Sequence, residues 1–186
     1  MTIADVLIYA FLALLYGAIA TGLVLGILRF VWPQTGMGLA PFLFLTLTFI
    51  ALTQHPFPAP GTLVCPKTSG EPQLQPFLYW KTVRHLWDRG DGIMEWLLNR
   101  TIAATAMNFL IPAAIGAALA QHRVSFGAAL LLAVTLTVLV VLTQLTGIWG
   151  IYPCAYRQFN VDDLMLNSLG LIAGFVLARR FVFGWL

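Results

Sequence analysis

Apolar residues form five long runs along the chain, and short polar or proline-rich breaks separate the runs. A helix needs about 20 apolar residues to cross about 30 Å of hydrocarbon. The runs that approach this length are Val6–Leu28, Leu39–Thr53, Thr101–Gln121, Val124–Gly147 and the segment from near Val161 to the C-terminus. The pattern predicts an all-α fold, a polytopic membrane bundle of about five transmembrane helices.

The composition agrees with a membrane protein. Sixty per cent of the residues are hydrophobic and nine per cent are charged, and the mean hydropathy is +0.87. A soluble domain of this size carries about a quarter charged residues. The net charge of +3 comes with no basic stripe or RNA-binding motif, so we expect no nucleic-acid partner.

The length predicts a single membrane domain over residues 1–186 with three parts. Residues 1–54 hold two spans, and the first is expected to be a retained helix because its apolar run exceeds that of a signal peptide. Residues 55–100 form an extramembrane segment, which begins with a proline-rich loop. Residues 101–186 hold the other three spans.

The second half of the extramembrane segment, FLYWKTVRHLWDRG, places aromatic residues at helical spacing among basic residues. Two interpretations remain open at this point. A basic helix with a Trp/Phe face is typical of helices that lie in the membrane interface. The same pattern also suits a helical cap packed on the ends of the spans.

The distribution of charge predicts the orientation. Arg29, Arg123, Arg179 and Arg180 lie in connections or ends that contain no acidic residue, and all seven acidic residues lie on the opposite face. Short basic connections favour the cytoplasm, so we expect the N-terminus outside and the C-terminus inside a bacterial cell membrane. A raw count of basic residues opposes this orientation, because six lie on the same face as the acidic residues: Lys67, Lys81, Arg84, Arg89, Arg100 and Arg157. Most of the six belong to the long extramembrane segment, where charge has less influence on orientation.

The two cysteines fall on the same face of the predicted bundle. Cys65 lies in the proline-rich loop and Cys154 precedes the fifth span. If that face is extracytoplasmic, the compartment is oxidising. The sequence therefore favours a disulfide between Cys65 and Cys154.

The fifth span carries a polar and small-residue stripe. Asp163, Asn167, Gly170 and Gly174 follow one another at spacings of four, three and four, which places them on one helical face. Gly170 and Gly174 form a GxxxG motif, where a neighbouring helix can approach closely. We expect the two glycines to pack against the bundle and the two polar residues to point inward.

Other polar residues occur at similar depths in neighbouring spans. The predicted ligand-binding cluster at the outer mouth of the bundle consists of Asn108, Gln144, Arg157, Asp162, Asp163 and Asn167. A purely structural interpretation is the alternative. In it, Asn160 caps the fifth helix, the aspartates complement its dipole, Arg157 pairs with them, and the amides join helices.

The segments NFLIPAAIG, TQLTG and YRQFNVDDLMLNSLGLIAG resemble the VanZ-like family of bacterial membrane proteins. The segment GIWGIYPCAYR resembles a variant common in actinobacteria. The resemblance implies an integral membrane protein whose family namesake is linked to teicoplanin resistance, and it implies that the polar positions of the family are the six residues of the cluster. Many members have a glutamate three residues before the glutamine, where this chain has Val141.

Three functions remain possible from the sequence. In the first, Arg157 holds an anionic or sugar-bearing lipid headgroup, because a guanidinium donates two bonds to phosphate, and the aspartates accept hydroxyls. In the second, Asp162 and Asp163 act with His55 or His85 in a membrane enzyme, although no metal-binding or nucleophile motif is present. In the third, the chain is a structural subunit of a membrane complex. The partners we expect are membrane lipids and either a second copy of the chain or another membrane protein. We expect no metal and no cofactor.

Overall fold

The computed structural model describes residues 3–55, 57–59, 62–65, 71–155 and 157–184. Lys67, which enters the charge count above, lies outside these ranges. The helices are α1 Ile3–Val31, α2 Ala40–Gln54, α3 Tyr79–Arg89, α4 Ile93–Leu98, α5 Arg100–Ala120, α6 Phe126–Leu145, α7 Gly147–Gly150 and α8 Val161–Ala178. A wider helical turn, Arg179–Phe183, continues α8.

Five helical segments are long and apolar enough to cross a membrane. They are Leu7–Val31, Met37–Gln54, Arg100–Ala120, Phe126–Leu145 and Val161–Val182. Within the described ranges no β-strand occurs apart from one isolated bridge between Gln73 and Asn160. The predicted all-α bundle of five membrane helices is therefore confirmed.

Polar caps determine where the last three spans begin. The Asn99 side chain accepts hydrogen bonds from the backbone of Thr101 and Ile102 at the start of α5. Ser125 caps α6 in the same way, and Asn160 accepts from the backbone N–H of Asp162 at the start of α8. Short polar side chains at these positions satisfy amide groups that have no partner inside the helix.

The closest helix pair in the bundle is α5 with α8. A Cβ atom added at Gly174 would collide with the carbonyl oxygen of Ala113, and one added at Gly170 would collide with that of Phe109. From the other side, a Cβ at Gly116 would collide with the carbonyl oxygen of Leu171. The two backbones touch because glycine occupies all three positions. Phe175, Ile115 and Leu171 fill the adjoining core and are almost fully buried.

The first helix lies at the edge of the bundle. It packs on α2 through a stripe of buried residues spaced by four, Ala13, Thr21 and Leu25, with Gly17 between them. A Cβ at Gly17 would collide with the Thr48 side chain. Most large residues on its other faces are exposed, as expected for a helix that meets lipid on most of its circumference.

The end of α6 turns into a single left-handed turn, α7. Its four residues have positive φ angles: Gly147 at 59°, Ile148 at 55°, Trp149 at 56° and Gly150 at 88°. This conformation costs about 1–2 kcal/mol for each residue with a side chain. A Cβ at Gly147 would lie 2.6 Å from the carbonyl oxygen of Cys154, so the turn brings the following loop back against the end of α6.

A disulfide and a backbone bridge are among the links that attach the extramembrane segment to the loop before α8. The predicted disulfide joins Cys65 to Cys154, whose Cα atoms are 6.0 Å apart. The backbone N–H of Gln73 donates to the carbonyl of Phe159 at 2.8 Å, and that of Val161 donates to the carbonyl of Gln73 at 3.0 Å. The proline-rich segment is thus joined to the start of α8 by a covalent bond and a backbone bridge.

We expect Gly174→Ala to lower the free energy of unfolding by about 1–3 kcal/mol, because the added methyl group overlaps the backbone of α5. The matched control is Gly22→Ala, on the open side of α1, where no atom lies within 4 Å of the added carbon. Thermal unfolding in one detergent compares the two. Equal melting temperatures for both variants would contradict the close α5–α8 contact.

Candidate functional site

A cavity of about 400 Å³ lies where the first turns of α5 and α8 meet α3. Its lining combines basic, acidic, amide, hydroxyl and apolar side chains: Leu78, Tyr79, Thr82, Arg100, Thr101, Ala104, Thr105, Asn108, Asn160, Asp162, Asp163 and Leu166. Three of the six residues of the predicted cluster, Asn108, Asp162 and Asp163, are among them. The volume falls within the range of about 300–1,000 Å³ typical of small-molecule sites.

Asp162 connects α8 to the start of α3. Its carboxylate accepts hydrogen bonds from the backbone N–H groups of Phe77 at 2.6 Å and Leu78 at 2.9 Å. The side chain is 4% exposed. A charged acceptor on two otherwise open amides of a helix start is a strong interaction. Asp162 therefore fixes α3 above the cavity, and both carboxylate oxygens are already engaged in that contact.

Asp163 lies on the side of α8 that faces α5. Its Oδ1 atom accepts a hydrogen bond of 2.5 Å from Nδ2 of Asn108. Adjacent residues on a helix point about 100° apart, so the neighbouring aspartates reach different elements. The Asp163–Asn108 pair forms the polar floor of the cavity, two helical turns below the first residue of α5.

Among the described residues, the lining of this cavity includes one cation, Arg100, which is not a member of the predicted cluster. Arg100 is the first residue of α5. Its neighbours in the lining, Thr101, Thr105 and Asn108, follow at spacings of four and three and so share one face of α5. That hydroxyl and amide stripe, beginning beside an arginine, is a signal in the sequence that would have identified this wall.

Arg157 takes a different position. It is absent from the described lining of the cavity, and its Nη2 atom donates a 2.7 Å hydrogen bond to the carbonyl oxygen of His55 at the end of α2. The His55 ring lies against Tyr9 of α1, with centroids 5.1 Å apart, and against Phe57. Burial, and secondly the positive charge of Arg157, lower the pKa of His55 below its ordinary value of 6.5.

Gln144 and Asn167 lie among the helices. Gln144 Nε2 donates to the carbonyl of Thr53 at 2.8 Å, and Gln54 Nε2 donates to the carbonyl of Val140 at 3.3 Å. This reciprocal pair joins α2 to α6. Asn167 is 3% exposed, one turn beyond Asp163, and its Oδ1 atom has no hydrogen-bond partner among the described residues.

The structure thus divides the predicted cluster. Asn108, Asp162 and Asp163 surround one cavity, whereas Arg157 and Gln144 bond to the backbone at the end of α2 and Asn167 lies within the bundle. Over the described part of the chain, no group of three or more His, Cys, Asp or Glu side chains has an arrangement that holds a metal ion.

Comparison with known proteins gives a family match. A family model with the description VanZ/LLP1 matches residues 42–183, from the first turns of α2 to the turn after α8. The match includes the cavity and both cysteines and excludes α1. Neither the curated proteins nor the solved structures contain a significant match to this chain.

We expect Asp162→Ala to speed hydrogen exchange at the amides of Phe77 and Leu78 by about tenfold or more, because each loses a bond to a charged acceptor. Exchange mass spectrometry of the α3 region measures the change. Asp163→Ala is the matched control, since its carboxylate bonds to Asn108. Equal acceleration in both variants would contradict the assignment of Asp162 as the anchor of α3.

Replacing Arg157 tests the electrostatic contact with His55. We expect Arg157→Gln to raise the pKa of His55, because the substitution removes a positive charge that disfavours the imidazolium. Arg157→Lys keeps the charge and should leave the pKa closer to that of the parent. NMR titration of the three histidines measures the shift. A lower pKa in Arg157→Gln would contradict the contact.

Proposed function

Since the chain belongs to the VanZ/LLP1 family of membrane proteins, we propose that it binds the headgroup of an envelope lipid, or of a lipid-linked cell-wall precursor, in the cavity between α3, α5 and α8. The observation that supports this proposal is the combination of a cation with uncharged and anionic acceptors in one cavity. Arg100 stands at the first residue of α5, and the Asp163–Asn108 pair lies below it.

The lining residues fit a ligand that carries both phosphate and hydroxyl groups. The guanidinium of Arg100 matches phosphate because its planar fork donates two parallel hydrogen bonds. An ionised carboxylate can accept about four hydrogen bonds. In Asp163, one of these is the bond from Asn108. Asp163 and the threonine hydroxyls of α5 can therefore accept hydroxyl groups of a sugar or a polyol.

The cavity also lies at the depth in the membrane where a lipid headgroup is found. Arg100 begins one membrane span, and Asp163 is the third residue of another. Span ends lie at the level of the lipid headgroups, at the border of the hydrocarbon core. A phospholipid can thus place its phosphate near Arg100 while its acyl chains remain in the membrane.

The proposed cellular role depends on orientation. The acid-free, arginine-bearing connections on the opposite face favour an orientation in which this cavity lies outside the cytoplasm, and the proposed role assumes that orientation. Binding a precursor or envelope lipid there alters what is presented to a glycopeptide such as teicoplanin, so we propose that the protein modulates glycopeptide susceptibility through this site. The disulfide between Cys65 and Cys154 is consistent with an oxidising compartment.

An enzymatic role has less support than binding. A pair of carboxylates acting as acid and base needs both groups available to the substrate. The two carboxylate oxygens of Asp162 accept hydrogen bonds from the backbone amides of Phe77 and Leu78. Asp163 bonds to the side chain of Asn108 instead, so a single carboxylate of the pair is directed to the cavity.

Native mass spectrometry of gently purified protein tests the binding role. We expect a phosphorylated, hydroxyl-bearing lipid to remain bound to the parent protein and to be lost in large part from Arg100→Gln and from Asp163→Asn. Arg100→Gln removes the phosphate donor, and Asp163→Asn removes the strongest hydroxyl acceptor.

The matched control is Arg123→Gln, which removes an arginine from the opposite face of the bundle. It should retain the lipid. Melting temperatures identify variants that have lost the fold. Unchanged lipid occupancy in folded Arg100→Gln and Asp163→Asn would contradict the proposed function, and loss of the lipid in all three variants would indicate non-specific attraction to arginine.

A further inference from the structure

The segment between the second and third spans exposes a continuous set of large apolar residues. Trp80 and Trp87 of α3 are 54% and 77% exposed. Of the six residues of α4, four have exposures of 62–72%: Ile93, Met94, Leu97 and Leu98. None of these residues belongs to the five candidate spans, so the membrane-spanning segments by themselves do not account for their exposure.

The helix α3 has three distinct sides. One side packs on the protein through buried Leu86 and half-buried Tyr79, Thr82 and Val83. With successive residues about 100° apart, a second side next to Val83 carries Trp80, Arg84 and Trp87. The remaining side carries Lys81, His85 and Asp88, all exposed. One exposed flank of the helix is thus apolar, the other is charged, and the third side packs against the protein.

The short helix α4 continues this apolar flank into a membrane span. It ends at Leu98, Asn99 is the cap, and α5 begins at Arg100. The chain therefore has a single residue between the apolar end of α4 and a membrane-spanning helix. Along α5, the exposed residues Met107 and Leu110 extend the apolar surface towards the hydrocarbon core.

We infer that α3 and α4 form one membrane-seated wedge, whose Trp80, Trp87 and α4 side chains lie in the lipid leaflet on the disulfide-bearing face. The leaflet is the occupant that fits because the surface is continuous with a span and carries tryptophan, the residue enriched at membrane interfaces. Arg84, between the tryptophans, reaches headgroup phosphates while its stem stays on apolar surface. The opposite flank, with Lys81 and Asp88, remains in water.

Two contacts keep the wedge in place. The Asp162 carboxylate holds the first residues of α3, and α3 and α4 both pack against α5. Tyr79 and Thr82 belong to the wedge and also line the cavity. If the proposed headgroup site is correct, the wedge places its mouth at the level of the headgroups, but the seating of the wedge in the leaflet does not depend on that site.

Spin labels on introduced cysteines test this inference. The native cysteines are joined to each other, so a nitroxide reagent reacts with an added thiol alone. We use Trp87→Cys and Met94→Cys on the apolar flank and Asp88→Cys as the matched neighbour on the charged flank. Protein in lipid nanodiscs is examined by power-saturation EPR with oxygen, which concentrates in the bilayer, and with a water-soluble nickel chelate.

Labels at positions 87 and 94 should be several-fold more accessible to oxygen, relative to the nickel reagent, than the label at position 88. Equal nickel accessibility at all three positions would overturn the inference, because it would place α3 and α4 in water. Strong dipolar broadening at 87 and 94 would overturn it too, since a second copy of the chain would then cover the surface. Because both native residues are exposed, we expect the labelled variants to fold. If Trp87→Cys does not fold, the comparison of the label at position 94 with that at position 88 tests the inference.

Discussion

The close contact between the backbones of α5 and α8 determines where the polar residues of the site lie. Glycine at positions 116, 170 and 174 lets the two helices touch along their length. The same contact brings Asn108 of α5 beside Asp163 of α8. A larger side chain at any of the three glycines would separate the helices and remove the floor of the cavity. The tight packing of α5 on α8 within the membrane therefore positions the polar residues at the membrane border.

The two adjacent aspartates at the start of α8 have separate roles. Asp162 accepts a hydrogen bond from the backbone amide of Phe77, 85 positions earlier in the extramembrane segment. Asp163 accepts a hydrogen bond from the side chain of Asn108 in a neighbouring span. Because neighbours on a helix diverge by about 100°, one turn of α8 organises both the roof and the floor of the cavity. The disulfide and the Gln73 backbone bridge attach to the loop just before this turn, so the start of α8 holds several attachments of the segment, in addition to the packing of α3 and α4 on α5.

The sequence was sufficient for features that depend on local pattern. Hydropathy predicted the five spans, the shared face of the two cysteines favoured their pairing, and residue spacing placed Asp163 on the side of α8 that carries Gly170 and Gly174. The motifs that carry the family resemblance begin at Asn108, whereas the family match begins at residue 42 and so includes α2 and the extramembrane segment.

Contacts between distant backbone groups could not be predicted in this way. One interpretation of the sequence paired Arg157 with the aspartates, and it could not show the bond that the Nη2 atom of Arg157 donates to the carbonyl of His55, 102 positions away. A backbone carbonyl has no signature in the side-chain pattern, and neither do the amides of Phe77 and Leu78. The sequence does contain the stripe of hydroxyl and amide residues that begins beside Arg100, but the position of α3 over that stripe depends on contacts between distant backbone groups.

In the proposed function, a lipid phosphate lies beside Arg100. Solid-state NMR dephasing between the guanidinium of each arginine and ³¹P, in membranes of the host's own lipid, measures this proximity directly. The account predicts strong dephasing at Arg100, well above that of Arg123, the exposed arginine between α5 and α6. Dephasing at Arg100 no stronger than at Arg123 would mean that the cavity holds no headgroup, and it would contradict the account.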